Sequence, residues 1–545
     1  MKNVLDVIGS PIVGPSSSHS AGATRIGLVA HQIAKASGNT ITNAEIKFVG
    51  SSFAKTCIGH GTYDALVAGI HGRRPSDSSI HNPSLWDWRN IQVSPPPDKL
   101  GDVDKDIRPE YPPNAVIIRL TTRKKCGESE EIEIVGESVG GGSILISSID
   151  GTTVHLTGTR DTLVIRGRIS SAETVATQVF LFTGKDIGQI FFTRNPKEPT
   201  KFICVIELEA HNIDDVYNEL RNSIGDVEIS RIERLFDSER IPQNFAKIKE
   251  LLSAVEGAGF SKISEWALSG EDASEIRRKL EDRLRVMWDS ARTGLGDNMQ
   301  TRDEGRLTGG DAFKMKNCAK HHISGNLCGT AIAVAIGIAE QNADKKCTII
   351  PAPTAGACGI LPAGILAKVF ADFSWLEDDD SFSVLVNAGA IEALATAGVL
   401  GEVMSKRGMR FSGSYAGCQA ECGCAAAMTA GALVELAGGN PQQVAHACAI
   451  ALINQMGLVC DPVAELVEIP CVKRNAGGIM VAICAADMAL AGIESLIPVD
   501  EVIDATLKVG KSIPEQLRET SEGGLATTPK GKELREQIIN RRISK

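Results

Sequence analysis

Three cysteines in the C-terminal half each stand beside a feature that interrupts regular structure. Cys418 lies in GSYAGCQAECG, Cys460 is followed by Asp461-Pro462, and Cys471 is preceded by Pro470. Proline fixes φ and removes a backbone donor, so Cys460 and Cys471 are predicted near bends and not inside smooth helices. Thiolates that converge on bends can ligate a soft metal. The separations, 42 and 11 residues, include no CxxC pair of the zinc or ferredoxin kind. On spacing alone, buried and inert cysteine is therefore the reading that residue type favours.

Other stretches carry groups suited to a small ligand. GPSSSHSAGATRIGLVAHQIAKA (14–36) is a Ser-rich loop running into a helical pattern. Such a loop presents N–H groups and hydroxyls to an anion, or serves only to cap the helix. His60 stands between two glycines, and imidazole titrates near neutral pH. His19 competes with it for proton transfer. In PAPTAGACGILPAG (351–364), Thr354, Gly356 and Gly359 let backbone and hydroxyl approach a ligand closely. Lys473 and Arg474 follow Cys471; they lower the cost of a thiolate, bind a carboxylate, or form a solvated face. Lys314 in GGDAFKMKN is the one lysine that suggests a pyridoxal-phosphate Schiff base. The triple glycine of VGGGSILISS lacks the lysine of a Walker loop.

These groups must be positioned by several domains, because 545 residues exceed one ordinary core. The net charge of −10 argues against a nucleic-acid surface. Asp6 and Pro11 interrupt any signal-peptide core near the N-terminus. The most apolar stretches, 423–437 and 479–493, contain Glu435 and Asp487 and read as buried helices, so no membrane partner is expected. Fourteen cysteines without a secretory signal indicate free thiols in a reducing, cytoplasmic compartment.

The fold expected is multi-domain. Residues 1–151 read as an α/β domain, with strand candidates at AEIKFVGSSF, AVIIRLTTRK and EEIEIVGES. Residues 73–113, with Pro95 to Pro97, read as a long surface excursion. Residues 152–238 give βαββαβ, a ferredoxin-like order. Residues 239–545 are nearly all helical, with Gly- and Ala-rich helices at 325–342, 383–403, 420–437, 441–456 and 477–494, interrupted by the 351–364 loop.

Taken together, CDPVAELVEIPCVKRNA, GCQAECG, APTAGACGILP and GPSSSHSAGA resemble the iron–sulfur L-serine dehydratase (L-serine ammonia-lyase) family. The likeness spans nearly the whole chain. It implies a 4Fe–4S cluster held by Cys418, Cys460 and Cys471, with one iron open to substrate. It also implies an α/β substrate-binding domain at 1–151, an ACT-like domain at 152–238 and an all-α catalytic domain at 239–545. L-serine is the implied substrate, and pyruvate and ammonia the products. His60, in a Gly-His followed by a short helix as in the family, is the preferred base. Ser16, Ser17, Ser18 and His19 suit the substrate carboxylate, with Thr354 and Gly356 on an opposite wall, between the first and last domains. ACT-like modules often pair, so a homodimer is expected. The module's ISSAET loop (169–174) lacks the usual effector glycine. Glu465 stands where the family usually has a small residue, facing solvent or altering substrate access. The chain ends RRISK, without the terminal cysteine that blocks the cluster in some members. The competing readings are a pyridoxal-phosphate dehydratase, a non-catalytic amino-acid-sensing regulator, and a related lyase acting on cysteine or threonine.

Overall fold

Helices Ala23–Ala34 and Thr62–Ile70 cross so tightly that only glycine fits at the contact. A Cβ on Gly27 would lie 2.3 Å from the Leu66 carbonyl oxygen, and one on Gly69 2.2 Å from that of Thr24. The computed structural model describes residues 4–82, 85, 91–94, 107–181, 187–208, 213–224, 227–236, 245–270, 272–296, 306–345, 347–376, 378 and 380–543. It divides into two units, one of residues 1–18, 58–60 and 238–545, the other of 19–57 and 61–237.

In the second unit this helix pair belongs to a six-stranded sheet. Its strand order is Ile91–Ser94, Thr40–Phe48, Ala115–Arg123, Ser129–Gly140, Ser143–Ile149, Thr152–Leu156. All neighbours are antiparallel except the first pair, which is parallel. Alternation puts Ile118, Leu120, Ile132, Ile134 and Ile146 into the core. AEIKFVGSSF is a strand only to Phe48; Ser51–Thr56 turns into a helix. The triple glycine forms the hairpin between two antiparallel strands, and Arg25 donates to the Gly142 carbonyl (2.8 Å). The excursion after residue 73 returns a strand, Ile91–Ser94; Pro95 to Pro97 lie outside the described residues.

The same unit carries Thr162–Arg168, Ala172–Leu181, Ile187–Arg194, Lys201–Leu208, Ile213–Ser223 and Val227–Ile232, in the order βαββαβ. The last strand lies beside the first, then the third, then the second, all antiparallel, which is ferredoxin-like connectivity. Leu163, Ile165, Phe202, Cys204 and Ile229 face Val175, Val179 and Leu220 of the helices. A polar cleft of about 1020 Å³ is lined by Arg166, Arg168, Ser170, Ser171, Lys197 and Glu228 among others, all of this unit.

The first unit is helical. Gly325–Ala343, Ile360–Phe370, Ala390–Lys406, Cys422–Leu436, Pro441–Gln455 and Cys471–Leu490 pack together. Cys422 through Glu435 are all buried, as expected of an Ala/Gly-rich helix surrounded by others. The 383–403 pattern is two helices, because Gly389 at φ +94° breaks it. The 351–364 stretch is a loop only as far as Gly359; a helix begins at Ile360, with Pro362 in its first turn where no intrahelical donor is needed. Ile12–Val13 pairs antiparallel with Thr348–Ile349, tying the N-terminal segment into this unit. Among the described residues no single helix is long and apolar enough to cross a membrane.

The helix crossing makes a prediction. Gly27→Ala forces backbone apart and should lower stability by about 1–3 kcal/mol, read from urea denaturation. Gly257→Ala, at a helix end with nothing within 4 Å of the new Cβ, should not.

Candidate metal centre

Cys460 sits on extended backbone after the helix Pro441–Gln455 ends. Its N–H donates to the Leu517 carbonyl (2.8 Å) and its carbonyl accepts from Glu519 N–H (2.8 Å). The Asp461 carboxylate, buried, accepts from Arg474 (2.8 Å) and from Leu525 N–H (2.8 Å). The chain then turns through Ala464 and Glu465 at positive φ and closes with Val463 N–H on Ile469 O (2.8 Å). The Glu468 carboxylate accepts from Leu307 and Thr308 N–H, both at 2.7 Å. Pro470 follows, and Cys471 is the first residue of its helix. That helix was expected from 477; it starts earlier because proline at its head needs no donor.

Cys418 follows Gly417 in a short 3-10 turn. Gln419 staples that turn to the Cys460 segment: its N–H donates to Leu458 O (3.0 Å), and its side-chain oxygen accepts from Gly457 N–H (2.8 Å). The short helix Gly413–Ala416 before the turn also comes close, since a Cβ on Gly413 would lie 2.6 Å from Cys460 Sγ. Cys418 and Cys460 are 3% and 4% exposed, and Cys471 is half-buried.

The thiols act on one another. The Cys422 thiol, donating to Cys418, brings Cys418 down to about 6 against the opposing effect of burial, with help from Arg474. The Cys422 thiol is pushed well up, first by that same bond and then by burial. Burial raises Cys460, with Glu519, Glu421 and the other thiols adding to it; burial and Cys418 raise Cys471. Burial pulls Arg474 down, but Cys418 and Asp461 more than offset it and hold the guanidinium charged. Cys358 and Cys424 are also buried, and burial raises both well above the ordinary thiol value.

Two carboxylates border the thiols. Ligand atoms of Glu421, Cys460 and Glu519 all lie within 4.8 Å of one another. Burial, and then the nearby Glu519 and Cys418 charges, hold the Glu421 carboxyl well above the usual range. His60, 1% exposed, places Nε2 3.5 Å from Glu519 Oε1. The buried Thr354 hydroxyl faces Glu421, and Gly356 lies against it, a Cβ there being 3.5 Å from Glu421 Oε1. Asn475 donates to Gly356 O (2.8 Å) and Cys471 O (2.9 Å), joining that loop to the Cys471 helix. Ser17 Oγ accepts from Ala355 N–H (2.6 Å), and Ser16 and Ser18 are buried. His19 belongs to the other unit, where it bonds Ser52 (3.1 Å) and packs on Phe53.

The donor set fits an iron–sulfur group. Three soft thiols, two buried and one half-buried, act on one another beside the Arg474 cation, and the carboxylates next to them leave the thiols as the soft ligands.

A family model described as "Serine dehydratase alpha chain" matches residues 166–526, and one described as "Serine dehydratase beta chain" matches residues 5–87. The chain belongs to the serine dehydratase family. Among its relatives, the "Probable L-serine dehydratase, alpha chain" of Bacillus subtilis is 44% identical over 278 residues, covering 50% of this chain and 87% of the relative. The alpha chain of L-serine dehydratase from Peptoniphilus asaccharolyticus is 41% identical, covering 49% and 86%. L-serine dehydratase 1 of Escherichia coli is 32% identical over 337 residues, covering 59% and 71%. In this serine dehydratase chain the beta-type match holds Ser16 to His19 and His60, and the alpha-type match holds Thr354, the three cysteines and Glu519.

Some residues read from sequence divide here. Lys473 is exposed and pairs with Asp311, whereas Arg474 turns inward. Lys314 is exposed and bonds Asp311 (2.9 Å), in no cradle for a Schiff base. Glu465 does not face solvent; it is buried and accepts from Arg535 (2.8 Å) of the helix Pro529–Ile543. Glu421, Asp461, Asn475 and Glu519 were missed. Only the run Cys-Asp-Pro marked Asp461, and nothing local marked the others.

Arg474→Met should expose the cost of this arrangement. It leaves Asp461 without its counter-charge, and losing one partner of a buried pair costs about 3–5 kcal/mol. Thermal unfolding of the metal-free protein reads this, and Lys473→Met should stay within about 0.5 kcal/mol of the parent.

Proposed function

We propose that this chain is an L-serine ammonia-lyase, converting L-serine to pyruvate and ammonia. The observation that carries the reading is the convergence of Cys418, Cys460 and Cys471 beside Arg474 in a member of this family. The hydroxyls of Ser16, Ser17 and Ser18, and the imidazole of His19, hold the substrate carboxylate. Thr354 and the backbone at Gly356 line the facing wall. His60 removes the Cα proton as general base. Cys418, Cys460 and Cys471 would hold a 4Fe–4S cluster, which would supply a Lewis acid for the departing β-hydroxyl. Loss of that proton and hydroxide as water leaves 2-aminoacrylate. It tautomerises to the imine, and a second water hydrolyses the imine to pyruvate and ammonia.

Residues 1–151 form the beta-type substrate domain, 152–238 an ACT-like module, and 239–545 the catalytic domain. The ferredoxin-like connectivity supports the middle assignment. The module joins two copies as a homodimer, and the protein works in the reducing cytoplasm, where a thiolate-held cluster survives.

Ligand variants test the reading. In anaerobically purified protein, Cys418→Ser, Cys460→Ser and Cys471→Ser should each lose iron, sulfide and pyruvate release from L-serine. Cys358→Ser, Cys422→Ser and Cys424→Ser should keep the cluster. Full iron content in Cys460→Ser contradicts the ligand assignment. Activity indifferent to air and chelators supports the pyridoxal-phosphate alternative, and serine binding without pyruvate supports the regulator.

A further inference from the structure

Glu519 reaches both the thiol segment and His60. Its backbone is strapped to the ligand strand, with Glu519 N–H on Cys460 O and Cys460 N–H on Leu517 O, both 2.8 Å. The residue is buried, 4% exposed. One oxygen, Oε2, accepts from Ser414 N–H at 2.9 Å. The other, Oε1, lies 3.5 Å from His60 Nε2. Glu519 also stands at φ +61°, a left-handed conformation that is strained for a residue with a Cβ. Further hydrogen bonds hold the segment there. Ser521 Oγ donates to Pro462 O (2.8 Å), and Arg518 donates to Tyr415 O (3.4 Å). Strain of this kind persists only where the surroundings over-determine it, and it clusters at functional sites.

We propose that Glu519 is a positioning residue for His60. It fixes the ring plane and keeps the proton on Nε2, so that Nδ1 is the nitrogen that takes the Cα proton. The inference rests on the reading of His60 as the base. The physical reason is general: the partner of one imidazole nitrogen decides which tautomer the other presents. A buried carboxylate also stabilises the imidazolium that forms when the proton arrives. The separation of 3.5 Å is long for a hydrogen bond, and such contacts tighten in the substrate complex. Because Glu519 is bonded through its backbone to Cys460, the base and the metal ligand are held in one frame.

The test uses the anaerobically reconstituted holoenzyme. Glu519→Gln keeps the shape and removes the charge, and its amide presents the wrong group to Nε2. Its kcat should fall by about 10²- to 10⁴-fold, with KM for L-serine and the iron and sulfide content at parental values. Glu519→Asp should recover part of the loss. Adding Glu519→Gln to His60→Ala should cost nothing further, because residues acting as a unit are not additive. A second readout needs no turnover. The imidazole ¹⁵N shifts of His60 in the metal-free protein, assigned against His60→Ala, should show the proton on Nε2 in the parent and a changed tautomer in Glu519→Gln. Parental kcat, an additive double variant, lost iron in Glu519→Gln, or an unchanged tautomer each overturns the proposal. A parent that releases no pyruvate instead defeats the functional reading, and the tautomer measurement still decides the contact.

Discussion

The Asp461–Arg474 pair is the interaction on which the site depends. Three thiols cannot be gathered in an apolar interior and also ionised without a compensating charge, because burying an unpaired anion is prohibitive. Arg474 supplies that charge beside the thiols, and Asp461 together with the Val459 carbonyl fixes its direction. Asp461 is itself the residue after Cys460 and is held by Leu525 N–H. The same two side chains therefore set the local potential and the path of the ligand loop. Removing either leaves the other as a buried charge, which couples stability of the fold to the chemistry of the site.

Around this pair, chain segments that are distant in sequence are pinned by a few buried polar side chains. Gln419 joins the Cys418 turn to the Cys460 strand, Asn475 joins the Thr354 loop to the Cys471 helix, and Glu519 joins the Cys460 strand to His60. Glu468 anchors the loop before Cys471 to Leu307 and Thr308. Each is buried, so each is satisfied or costly. The Ala- and Gly-rich helices behind them supply rigidity by close packing, as where Cys422–Leu436 lies against Pro441–Gln455 and Cys471–Leu490. Thiols at bends, backed by rigid helices, would meet the demand for preorganisation that a metal site makes.

Local chemistry was legible in the sequence, and long-range chemistry was not. The βαββαβ order showed because strand and helix periods alternate over short windows, and the prolines beside Cys460 and Cys471 marked bends that are present. The strand Thr152–Leu156 was not read as part of the six-stranded sheet, since five residues carry too little pattern. The helix from Ile360 was hidden by Pro362 and neighbouring glycines, although proline is harmless in a first turn. Glu519 and Ser414 are 105 residues apart, and no periodicity could link them. Glu465 read as an oddity because its partner, Arg535, is 70 residues away.

The central claim is that the converging thiols hold a four-iron cluster whose remaining iron meets the substrate. Mössbauer spectroscopy of the anaerobically reconstituted, ⁵⁷Fe-enriched chain tests it most directly. The account predicts a 4Fe–4S spectrum in which one iron site alone shifts when L-serine is added. A protein that releases pyruvate from L-serine while every iron site is unmoved, or while it holds no cluster, contradicts it.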